Sequence, residues 1–314
     1  MYKKLSIGVA VPAYNEEKLI EKTLTTMPDF VDHIVVINDC SSDKTLSIIK
    51  KLQKNDKRID IIDNKENHGI GYSLTKGLKK AAELGCDRVA IMAGDAQMDP
   101  DQLSPMLDNM AKRNLDFIKA NRFMHLEALK SMPKYRRIGN IVVTILTKFA
   151  TGYYSIFDTQ NGYVVYSKDV IDRMPWHLIG DRYEFENTIL IGLSIIDAKI
   201  GDFPIPALYG DETSTIKLFS TTIRVLKCLM VGFWQRIYYK YILYSFHPIA
   251  LFLLTGLTLF TIGIIAGIWM LAVKIITSIS PTSGTVMLAV LPIILGIQLL
   301  LTALVMDVSE EKKQ

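Results

Sequence analysis

The sequence has few cysteines and no pattern that pairs them. Cys40, Cys86 and Cys228 are the only three among 314 residues, and none forms a C-x-x-C pair or another metal-ligand spacing. An odd number of isolated cysteines argues against a disulfide framework, so we expect the main domain in a reducing compartment. The first apolar run ends at Pro12 and is too short for the core of a signal peptide.

The chain also has no strong excess of charge of one sign. Its formal net charge of +4 provides no global basic field, and we therefore expect no nucleic-acid partner. Apolar residues are abundant instead: 49% of the chain is hydrophobic. The mean hydropathy of +0.22 is high for a soluble protein, so these residues must be concentrated in one region. That region begins after Pro248.

Short runs rich in Ile and Val alternate with amphipathic stretches over the first 120 residues. Near-continuous apolar strands separated by helices predict a parallel sheet covered on both faces, which is an α/β, Rossmann-like domain. A chain of this length is expected to form one catalytic-sized core. The predicted strands are 6–11, 33–38, 59–63, 88–93 and 116–120, with a further strand after residue 163 that runs through Tyr166. The predicted helices are 17–27, 42–54, 72–84, 101–114, 138–150 and 182–195.

Polar and turn-forming residues follow five successive predicted strands. Ligands of open α/β sheets bind outside the carboxyl ends of the strands, so these residues predict one convergent site. The alternative is that Asn, Asp and Gly only form turns there. The segments are 12–16, 38–39, 64–71, 94–95 and 121–122.

A basic amphipathic helix is predicted next to the apolar C-terminal region. Its apolar residues recur in steps of three and four, which suits a helix lying on an anionic membrane surface. The alternative is a helix packed on the domain. The apolar positions are Ile216, Phe219, Ile223, Leu226, Met230, Phe233 and Ile237, and the basic ones are Lys217, Arg224, Lys227, Arg236 and Lys240.

Two uncharged runs, 249–273 and 286–306, are long enough to cross a bilayer. At ~1.5 Å per residue, each exceeds a hydrocarbon core of ~30 Å. Basic residues flank the pair, whereas Lys274 is the only charge between the runs, so we expect both ends to face the cytoplasm. Two membrane helices with few other partners favour self-association into a homo-oligomer. The predicted domains are a catalytic domain at 1–210, a juxtamembrane region at 211–247 and a two-helix anchor in the cell membrane at 248–314.

Three motifs occur in the order and spacing of a known enzyme family. They are VPAYNEE at 11–17, INDCSSDKT at 37–45 and the segment around Asp95. Over residues 6–206 the chain resembles family 2 glycosyltransferases with the GT-A fold, and its predicted anchor makes it similar to the polyprenyl (dolichyl) phosphate sugar synthases. The resemblance implies a metal-dependent, inverting hexosyltransferase that moves a monosaccharide from a nucleotide-diphosphate sugar to polyprenyl phosphate at the cytoplasmic membrane face.

The resemblance also implies which residues bind the nucleotide sugar. Asp39 matches an aspartate that hydrogen-bonds the base, a role that suits a carboxylate as an acceptor. The alternative for Asp39 is a capping contact to the helix that begins near Ser42. The turn at 67–71 is similar to the family's glycine-containing turn near the diphosphate. The implied donor-binding residues are Pro12, Ala13, Tyr14, Glu16, Asp39, Asn67 and Asp95.

The family's metal motif, Asp-x-Asp followed by Gln, is incomplete in this sequence. Ala93, Asp95 and Gln97 occupy the matching positions, so the first aspartate is missing. Mg²⁺ or Mn²⁺ needs only one or two protein carboxylates when diphosphate oxygens complete its octahedron, so Asp95 and Gln97 are the expected metal ligands. Asp99 either assists them or, with Pro100, forms a helix N-cap; the second arrangement is favoured.

On the acceptor side, the resemblance implies that arginines bind the phosphate of the lipid. The planar guanidinium group suits a phosphate because it can donate two parallel hydrogen bonds. Arg122 matches an arginine that contacts the acceptor phosphate. Arg136 or Arg137, together with Asn140, resembles a second basic and polar cluster on the acceptor side. The alternative for each arginine is that it is a solvated surface residue. Asp158 either orients the nucleophile or sugar or forms a turn. Asp95, Arg122 and Asp158 are the expected catalytic residues.

Several other residues are assigned from their positions alone. Of Glu184 and Glu186, which point to different sides of a helix, at most one is expected to face the site. Residues 209–214 are a candidate acceptor lid. His247 is expected to be interfacial rather than a base. Two other functions stay open: a transferase that extends a lipid-linked glycan or polysaccharide, and an inactive membrane-tethered nucleotide-sugar sensor.

Overall fold

A computed structural model describes residues 1–122, 134–159, 161–182, 184–206, 218–278 and 280–311. The chain divides into two compact units, Met1–Phe233 and Trp234–Gln314. The candidate lid at 209–214 lies outside the described residues.

The first unit is built on a seven-stranded sheet with the order β3-β2-β1-β4-β6-β5-β7. The fold class predicted from the sequence is confirmed, but the expectation of a wholly parallel sheet is wrong, because β6 runs antiparallel to both β4 and β5. A four-residue apolar run carries no information about strand direction, so the sequence could not reveal this. The strands are β1 (Ile7–Ala13), β2 (His33–Asn38), β3 (Ile59–Asp63), β4 (Arg88–Ile91), β5 (Phe117–Asn121), β6 (Val164–Ser167) and β7 (Ile200–Pro204).

The direction of β6 matters for the site. Strands β1 to β5 point their carboxyl ends to one edge of the sheet, and an antiparallel β6 must begin at that same edge. Residues 152–159 and 161–163, which precede β6, therefore lie beside the loop that follows β4 and the end of β5.

Helices cover both faces of the sheet, as the continuous apolar strands predict. Alternate residues of a strand point to opposite faces: Val9 and Val11 of β1 pack into one core, and Ala10 packs into the other. Helices α1, α2 and α4 contribute to the first core, and α3, α6 and α7 to the second. The helices of this unit are α1 (Ile20–Thr25), α2 (Thr45–Asn55), α3 (Ile70–Glu83), α4 (Leu103–Lys112), α5 (Lys134–Thr151), α6 (Lys168–Arg173) and α7 (Phe185–Ile195), with 3₁₀ turns at Pro100–Gln102 and Trp176–Leu178.

Helix α8 (Leu218–Arg236) begins in the first unit and ends in the second, where a π-helical segment (Ile237–Leu243) follows it. Two long apolar helices come next, α9 (Pro248–Thr277) and α10 (Ser283–Glu311). Both are long and apolar enough to span a membrane. Only 22% of the most apolar 18-residue stretch of α9 is buried, and only 17% of that of α10. Exposed apolar helices of this kind are unlike the core helices of a soluble protein.

Helices α9 and α10 pack through small residues that recur every seventh position. A Cβ atom on Gly256 would lie 3.0 Å from the Gly296 carbonyl oxygen, and one on Gly263 would lie 2.8 Å from the Ala289 carbonyl oxygen. A Cβ atom on Gly296 would lie 2.6 Å from the Phe260 amide nitrogen. Glycine therefore lets the two backbones approach closely, as in membrane helix pairs.

A buried ion pair joins the end of α8 to α10. Arg236 is 1% exposed, and its Nη1 lies 2.7 Å from Asp307 Oδ1. The Tyr241 hydroxyl also donates to Asp307 Oδ1 at 2.6 Å. Arg236, one of the basic positions of the predicted membrane-surface helix, is instead buried against Asp307. Asp307 follows the predicted 286–306 run directly, and a buried carboxylate requires a partner of this kind.

Candidate active site

The loops that follow β1 and β2 are joined to each other at the carboxyl edge of the sheet. Asn15 has a left-handed φ of 57°, and its Oδ1 accepts a hydrogen bond from the Ser42 amide at 2.8 Å. The Thr45 hydroxyl accepts from the Glu16 amide at 2.8 Å. These contacts form one surface in which Pro12 and Ala13 end β1 and the Tyr14 ring is 51% exposed.

Asp39 is buried at the same edge and anchors the loop that precedes α3. One carboxylate oxygen accepts from Asn64 Nδ2 at 2.9 Å, and the other accepts from the Gly69 amide at 2.9 Å. The Asn67 amide group donates to the Asp39 carbonyl at 3.4 Å. These bonds go to the loop before α3, and none of them is a capping contact to the helix near Ser42; the contact to a nucleotide base stays a prediction.

The acidic loop after β4 packs directly on the loop after β1. The Gly94 amide donates to the Pro12 carbonyl at 3.2 Å, and Asp95 Oδ1 accepts from the Gln97 amide at 3.1 Å. Asp99 accepts from the Asp101 amide at 3.0 Å and has Pro100 directly after it. The favoured N-cap arrangement for Asp99 is thus confirmed.

The residues around Asp95 fit a divalent cation that shares its coordination with diphosphate. Within the described part of the chain, no three side chains of His, Cys, Asp or Glu are grouped to hold a metal ion. Asp95 and the amide oxygen of Gln97 are hard oxygen donors, the type that Mg²⁺ and Mn²⁺ prefer. A single carboxylate with phosphate oxygens is a sufficient donor set for such an ion.

Arg122 and Asp158, two residues singled out separately in the sequence, form one ion pair. Arg122 Nε donates to Asp158 Oδ2 at 2.8 Å, Nη2 donates to Oδ1 at 3.1 Å, and the Arg122 amide donates to Oδ2 at 3.1 Å. The Asp158 side chain is 0% exposed, whereas that of Arg122 is 35% exposed. The buried carboxylate therefore fixes the orientation of a guanidinium that still reaches solvent.

Lys119, which is buried, and Glu186, which is half-buried, form a polar cluster near this pair that the sequence did not predict. Lys119 is 2% exposed, and its ammonium group donates to the Asn161 carbonyl. Both residues, with Asn161, line a cavity of about 20 Å³, which is room for about one water molecule. The signal in the sequence was a lysine inside the FIKAN strand and a glutamate inside an apolar helix.

Burial shifts the ionisation of both charged groups toward the neutral form. Burial raises the pKa of Glu186 to about 7, while Lys119 and Arg122 oppose the shift and Asp158 adds to it. Burial also lowers the pKa of Lys119, against the charges of Glu186, Asp158 and Asp202. Glu186 therefore titrates near neutral pH within this cluster. Of the two candidate glutamates, it is the one that faces the site region.

Asp202 at β7 completes the buried network. Its Oδ2 accepts from Asn121 Nδ2 at 2.6 Å and from the Phe157 amide at 3.0 Å. Burial raises the pKa of the Asp202 carboxyl. Asp202 thus ties the end of β5, just before Arg122, to the residue just before Asp158.

Helix α5 has an exposed apolar surface next to this network. The Thr144 hydroxyl donates to the Phe157 carbonyl at 3.4 Å, so the helix adjoins the 157–158 segment. The Phe157 ring is 55% exposed. We call the exposed side chains of the helix the α5 apolar face; they are Ile141, Val142, Ile145, Leu146 and Phe149, each at least 36% exposed. The side chains of Arg136, Arg137 and Asn140, at the start of α5, lie outside the described residues.

The class of protein that this sheet order and its edge loops define is the GT-A glycosyltransferases. The chain belongs to glycosyl transferase family 2, whose model matches residues 8–174, and the resemblance seen in the sequence is confirmed. Glucosyl-3-phosphoglycerate synthase from Mycobacterium tuberculosis shares the fold, with a TM-score of 0.55 and 16% identity over 73% of this chain and 80% of that one. Another of its structures contains Mn²⁺, UDP-glucose and phosphoglyceric acid.

Relatives in sequence include transferases named for lipid phosphates. A UDP-N-acetylglucosamine--dolichyl-phosphate N-acetylglucosaminyltransferase of Methanococcus voltae is 28% identical over 218 residues, 65% of this chain and 86% of the relative. A dolichyl-phosphate beta-glucosyltransferase of Trichomonas vaginalis is 24% identical, over 73% of this chain and 75% of the relative. An undecaprenyl-phosphate mannosyltransferase of Micrococcus luteus is 22% identical, over 62% and 80%. These similarities support a glycosyltransferase that acts on a lipid phosphate.

Proposed function

We propose that this glycosyltransferase moves one monosaccharide, with inversion, from a nucleotide-diphosphate sugar to a polyprenyl phosphate at the cytoplasmic face of a membrane. The observation that carries the proposal is Arg122, held by the buried Asp158 and partly exposed beside the α5 apolar face. A fixed guanidinium next to an apolar surface matches a phosphate on an isoprenoid chain. The lipid-phosphate transferases among the relatives support the same acceptor.

The chemistry requires positioning and charge neutralisation more than a strong base. A phosphate monoester has its second pKa near 6, so one of its oxygens is already a nucleophile at neutral pH. That oxygen forms the bond to the anomeric carbon while the bond from this carbon to the diphosphate breaks, and the nucleoside diphosphate leaves with the electron pair. Arg122 would hold the acceptor phosphate for this attack, and the fixed loops after β1 and β2 would hold the donor.

Asp95 and Gln97 would hold the divalent ion in this scheme. When bound, such an ion neutralises negative charge on the leaving diphosphate. Because Ala93 leaves the loop with one aspartate fewer, the ion is expected to bind together with the nucleotide rather than before it.

The α5 apolar face is proposed to lie on the bilayer. Five large apolar side chains on one helix, with Phe157 beside them, form an exposed patch of the kind that marks interaction sites. A lipid surface is the proposed occupant because α9 and α10 of the same chain are suited to span a membrane.

Helices α9 and α10 are proposed to place both of their outer ends in the cytoplasm. His247 at the start of α9 lies 3.8 Å from Glu310 near the end of α10, measured from Nε2 to Oε1. The outer ends of the hairpin therefore share one side, and the basic flanks predicted from the sequence favour the cytoplasmic one.

A product assay tests the function. Purified protein is incubated with radiolabelled UDP- and GDP-sugars and a short polyprenyl phosphate, with Mn²⁺ or with EDTA, and the lipid product is treated with mild acid. An acid-labile phospholipid that carries one sugar supports the proposal. Transfer only to a preformed glycolipid would indicate a chain-extending transferase, and binding without turnover would indicate a sensor.

The variant Arg122→Ala tests whether Arg122 binds the acceptor phosphate. We expect the KM for polyprenyl phosphate to rise at least about tenfold, because a charged hydrogen-bonding partner of the phosphate is removed. Arg173→Ala is the matched control, since Arg173 pairs with Asp169 on the exposed side of α6. An unchanged acceptor KM in Arg122→Ala would contradict the assignment.

A further inference from the structure

We propose that Lys119 and Glu186 are positioning residues that hold the Asn161–Gly162 backbone from two sides and so fix the Asp158–Arg122 pair for transfer. The inference rests on the proposed function, because it is there that Arg122 binds the acceptor phosphate. Neither residue belongs to the donor loops or to the Asp95 loop.

Lys119 holds the segment from the sheet side. It lies on β5 opposite Val164 of β6, and its buried ammonium donates to the Asn161 carbonyl. Arg122, three residues further along the same chain, binds the Asp158 carboxylate. Asn161 and Asp158 are therefore each bound by a cationic side chain from β5 or the residue after it, Lys119 and Arg122 respectively.

Glu186 holds the segment from the helix side. A Cβ atom placed on Gly162 would lie 3.4 Å from Glu186 Oε1 and 3.4 Å from Met98 Cε. Gly162 is thus enclosed between the first turn of α7 and the loop that carries Asp95. The Glu186 carboxylate therefore lies against the backbone at Gly162, next to Asn161.

The segment between the two contacts is short and internally bonded. The Asn161 amide donates to the Asp158 carbonyl at 3.4 Å, and the Tyr163 amide donates to Asn161 Oδ1 at 3.0 Å. A displacement of Asn161 therefore moves Asp158, and Asp158 sets the direction of the Arg122 guanidinium.

The energetics also indicate a role beyond stability. Burying a lysine and a glutamate is unfavourable, and apolar residues of similar volume often stabilise a fold equally well or better. The groups that act on Lys119 and Glu186 are Asp158, Asp202 and Arg122, so the cluster is electrostatically coupled to the proposed acceptor site. Ionised Glu186 favours charged Lys119, which is the form that donates to Asn161.

The first test removes the lysine. In Lys119→Met we expect kcat to fall about 10- to 100-fold, since small misplacements of a reacting group have effects of this size. The KM for the nucleotide sugar should stay within about twofold, because the donor is assigned to the loops after β1 and β2, whereas the hydrogen bond of Lys119 goes to Asn161. Hydrogen exchange at the Asn161 and Tyr163 amides should accelerate. Lys168→Met, which changes an exposed lysine on α6, is the control.

A double variant separates positioning from charge compensation. Lys119→Met with Glu186→Gln removes both buried charges, so we expect the melting temperature to recover toward that of the wild type while kcat stays low. Recovery of kcat together with the melting temperature would overturn the inference, because the pair would then serve stability alone.

The variant Glu186→Gln provides an independent test if Lys119→Met does not fold. We expect the ratio of wild-type kcat to variant kcat to rise as the pH passes through about 7, where Glu186 ionises. The acceptor phosphate ionises in the same way in both assays, so its effect on kcat does not appear in the ratio. Glu184→Gln is the neighbouring control, and a flat ratio would overturn the inference.

The assay of the wild type distinguishes this inference from the proposed function. Absence of transfer to polyprenyl phosphate in the wild type would overturn the function. The amide exchange in Lys119→Met would still decide the positioning role: acceleration at Asn161 and Tyr163 supports it, and unchanged exchange refutes it.

Discussion

The acidic loop after β4 depends on one carboxylate at the residue scale. Asp95 accepts a hydrogen bond from the Gln97 amide and stands next to Ala96, whose φ is 55°. Ala93 donates its amide to the Met98 sulfur at 3.3 Å. The Gly94 amide also donates to the Pro12 carbonyl, so the loop keeps contacts that do not involve the Asp95 side chain, and that side chain is not required to build the sheet.

Asp95→Ala should remove turnover and preserve the fold. We expect kcat to fall at least about 100-fold, because a site with one carboxylate has no substitute for it in neutralising the diphosphate. The measurement is steady-state transfer with Mn²⁺, together with the melting temperature. Glu83→Ala on the surface end of α3 is the control, and full activity in Asp95→Ala would disprove the metal assignment.

Glu186 should also make stability depend on pH. Burial raises its pKa from the ordinary value of 4.5 to about 7, so between these values the folded state holds a proton that the unfolded state has lost. Stability therefore decreases as the pH rises from about 4.5 to 7 and levels off above that. The melting temperature of the wild type minus that of Glu186→Gln should be larger at pH 5 than at pH 8. An equal difference at both values would contradict the shift.

Local patterns predicted which residues lie together at this edge of the sheet, but they did not predict how the side chains pair. Asp95 and Arg122 were found because they follow apolar strands, and Asp99 because it precedes Pro100. The Arg122–Asp158 pair joins residues that are 36 positions apart. No spacing rule contains such a contact, and the same reason hid the burial of Lys119, whose partner is 42 positions away.

At the scale of elements, α5 differs from the other amphipathic helices of the first unit. Helices such as α3 bury their apolar side chains against the sheet. Helix α5 instead leaves five large ones exposed and contacts the network around Asp158 through Phe157. An isolated apolar patch of this kind is unfavourable in water, and contact with lipid removes the penalty.

Ile145→Asp should weaken the contact between the first unit and lipid. A carboxylate in the centre of the α5 apolar face opposes insertion into the headgroup region. In nanodiscs, we expect the KM for polyprenyl phosphate to rise about five- to tenfold, on the order of 1 kcal/mol. Ser47→Asp at an exposed position of α2 tests whether any added surface carboxylate has the same effect. Identical kinetics in the Ile145→Asp variant and the wild type would refute the membrane contact.

The hairpin of α9 and α10 depends on backbone approach at its glycines. Gly296→Leu should separate the helices, because a Cβ atom there would already lie 2.6 Å from the Phe260 amide nitrogen. We expect destabilisation of about 1–3 kcal/mol, as for overpacked cores. Thermal unfolding in detergent measures it. Gly267→Leu is the matched control, since no heavy atom lies within 4 Å of a Cβ placed there.

The sequence predicted the elements of the sheet better than their direction. Strands β1 to β5 follow from apolar runs, and β2 and β3 match their predicted bounds. Strand β6 was expected. Its antiparallel direction depends on the edge of the sheet at which it begins, and no local pattern encodes that edge. Helix α1 begins at Ile20 rather than at residue 17 because the Glu17 carboxylate accepts from the Lys44 amide.

At the scale of the whole molecule, the two units follow different folding rules. The first buries two apolar layers around a sheet, and the second exposes most of its apolar side chains. Length and hydropathy sufficed to predict α9 and α10. They could not predict the Arg236–Asp307 pair, which joins positions 71 residues apart.

The sidedness of the chain can be measured with cysteines. Ser283→Cys adds a thiol at the start of α10, in the connection expected outside, while native Cys40 is exposed in the first unit. We expect an impermeant maleimide to label Ser283→Cys in intact cells and to label Cys40 only after permeabilisation. Both measurements use a Cys228→Ser background, because Cys228 is a partly exposed free thiol, and this background without Ser283→Cys provides the Cys40 signal. Labelling of Cys40 in intact cells would reverse the proposed orientation.

The α5 apolar face also affects how the reaction rate depends on concentration. If this face and the hairpin confine the enzyme to a membrane plane, encounters with the acceptor occur in two dimensions. The relevant quantity is then the mole fraction of polyprenyl phosphate among lipids, not its amount per volume of solution. Growth of the membrane at constant acceptor number would slow each enzyme, whereas the water-soluble sugar donor would act through its ordinary bulk concentration.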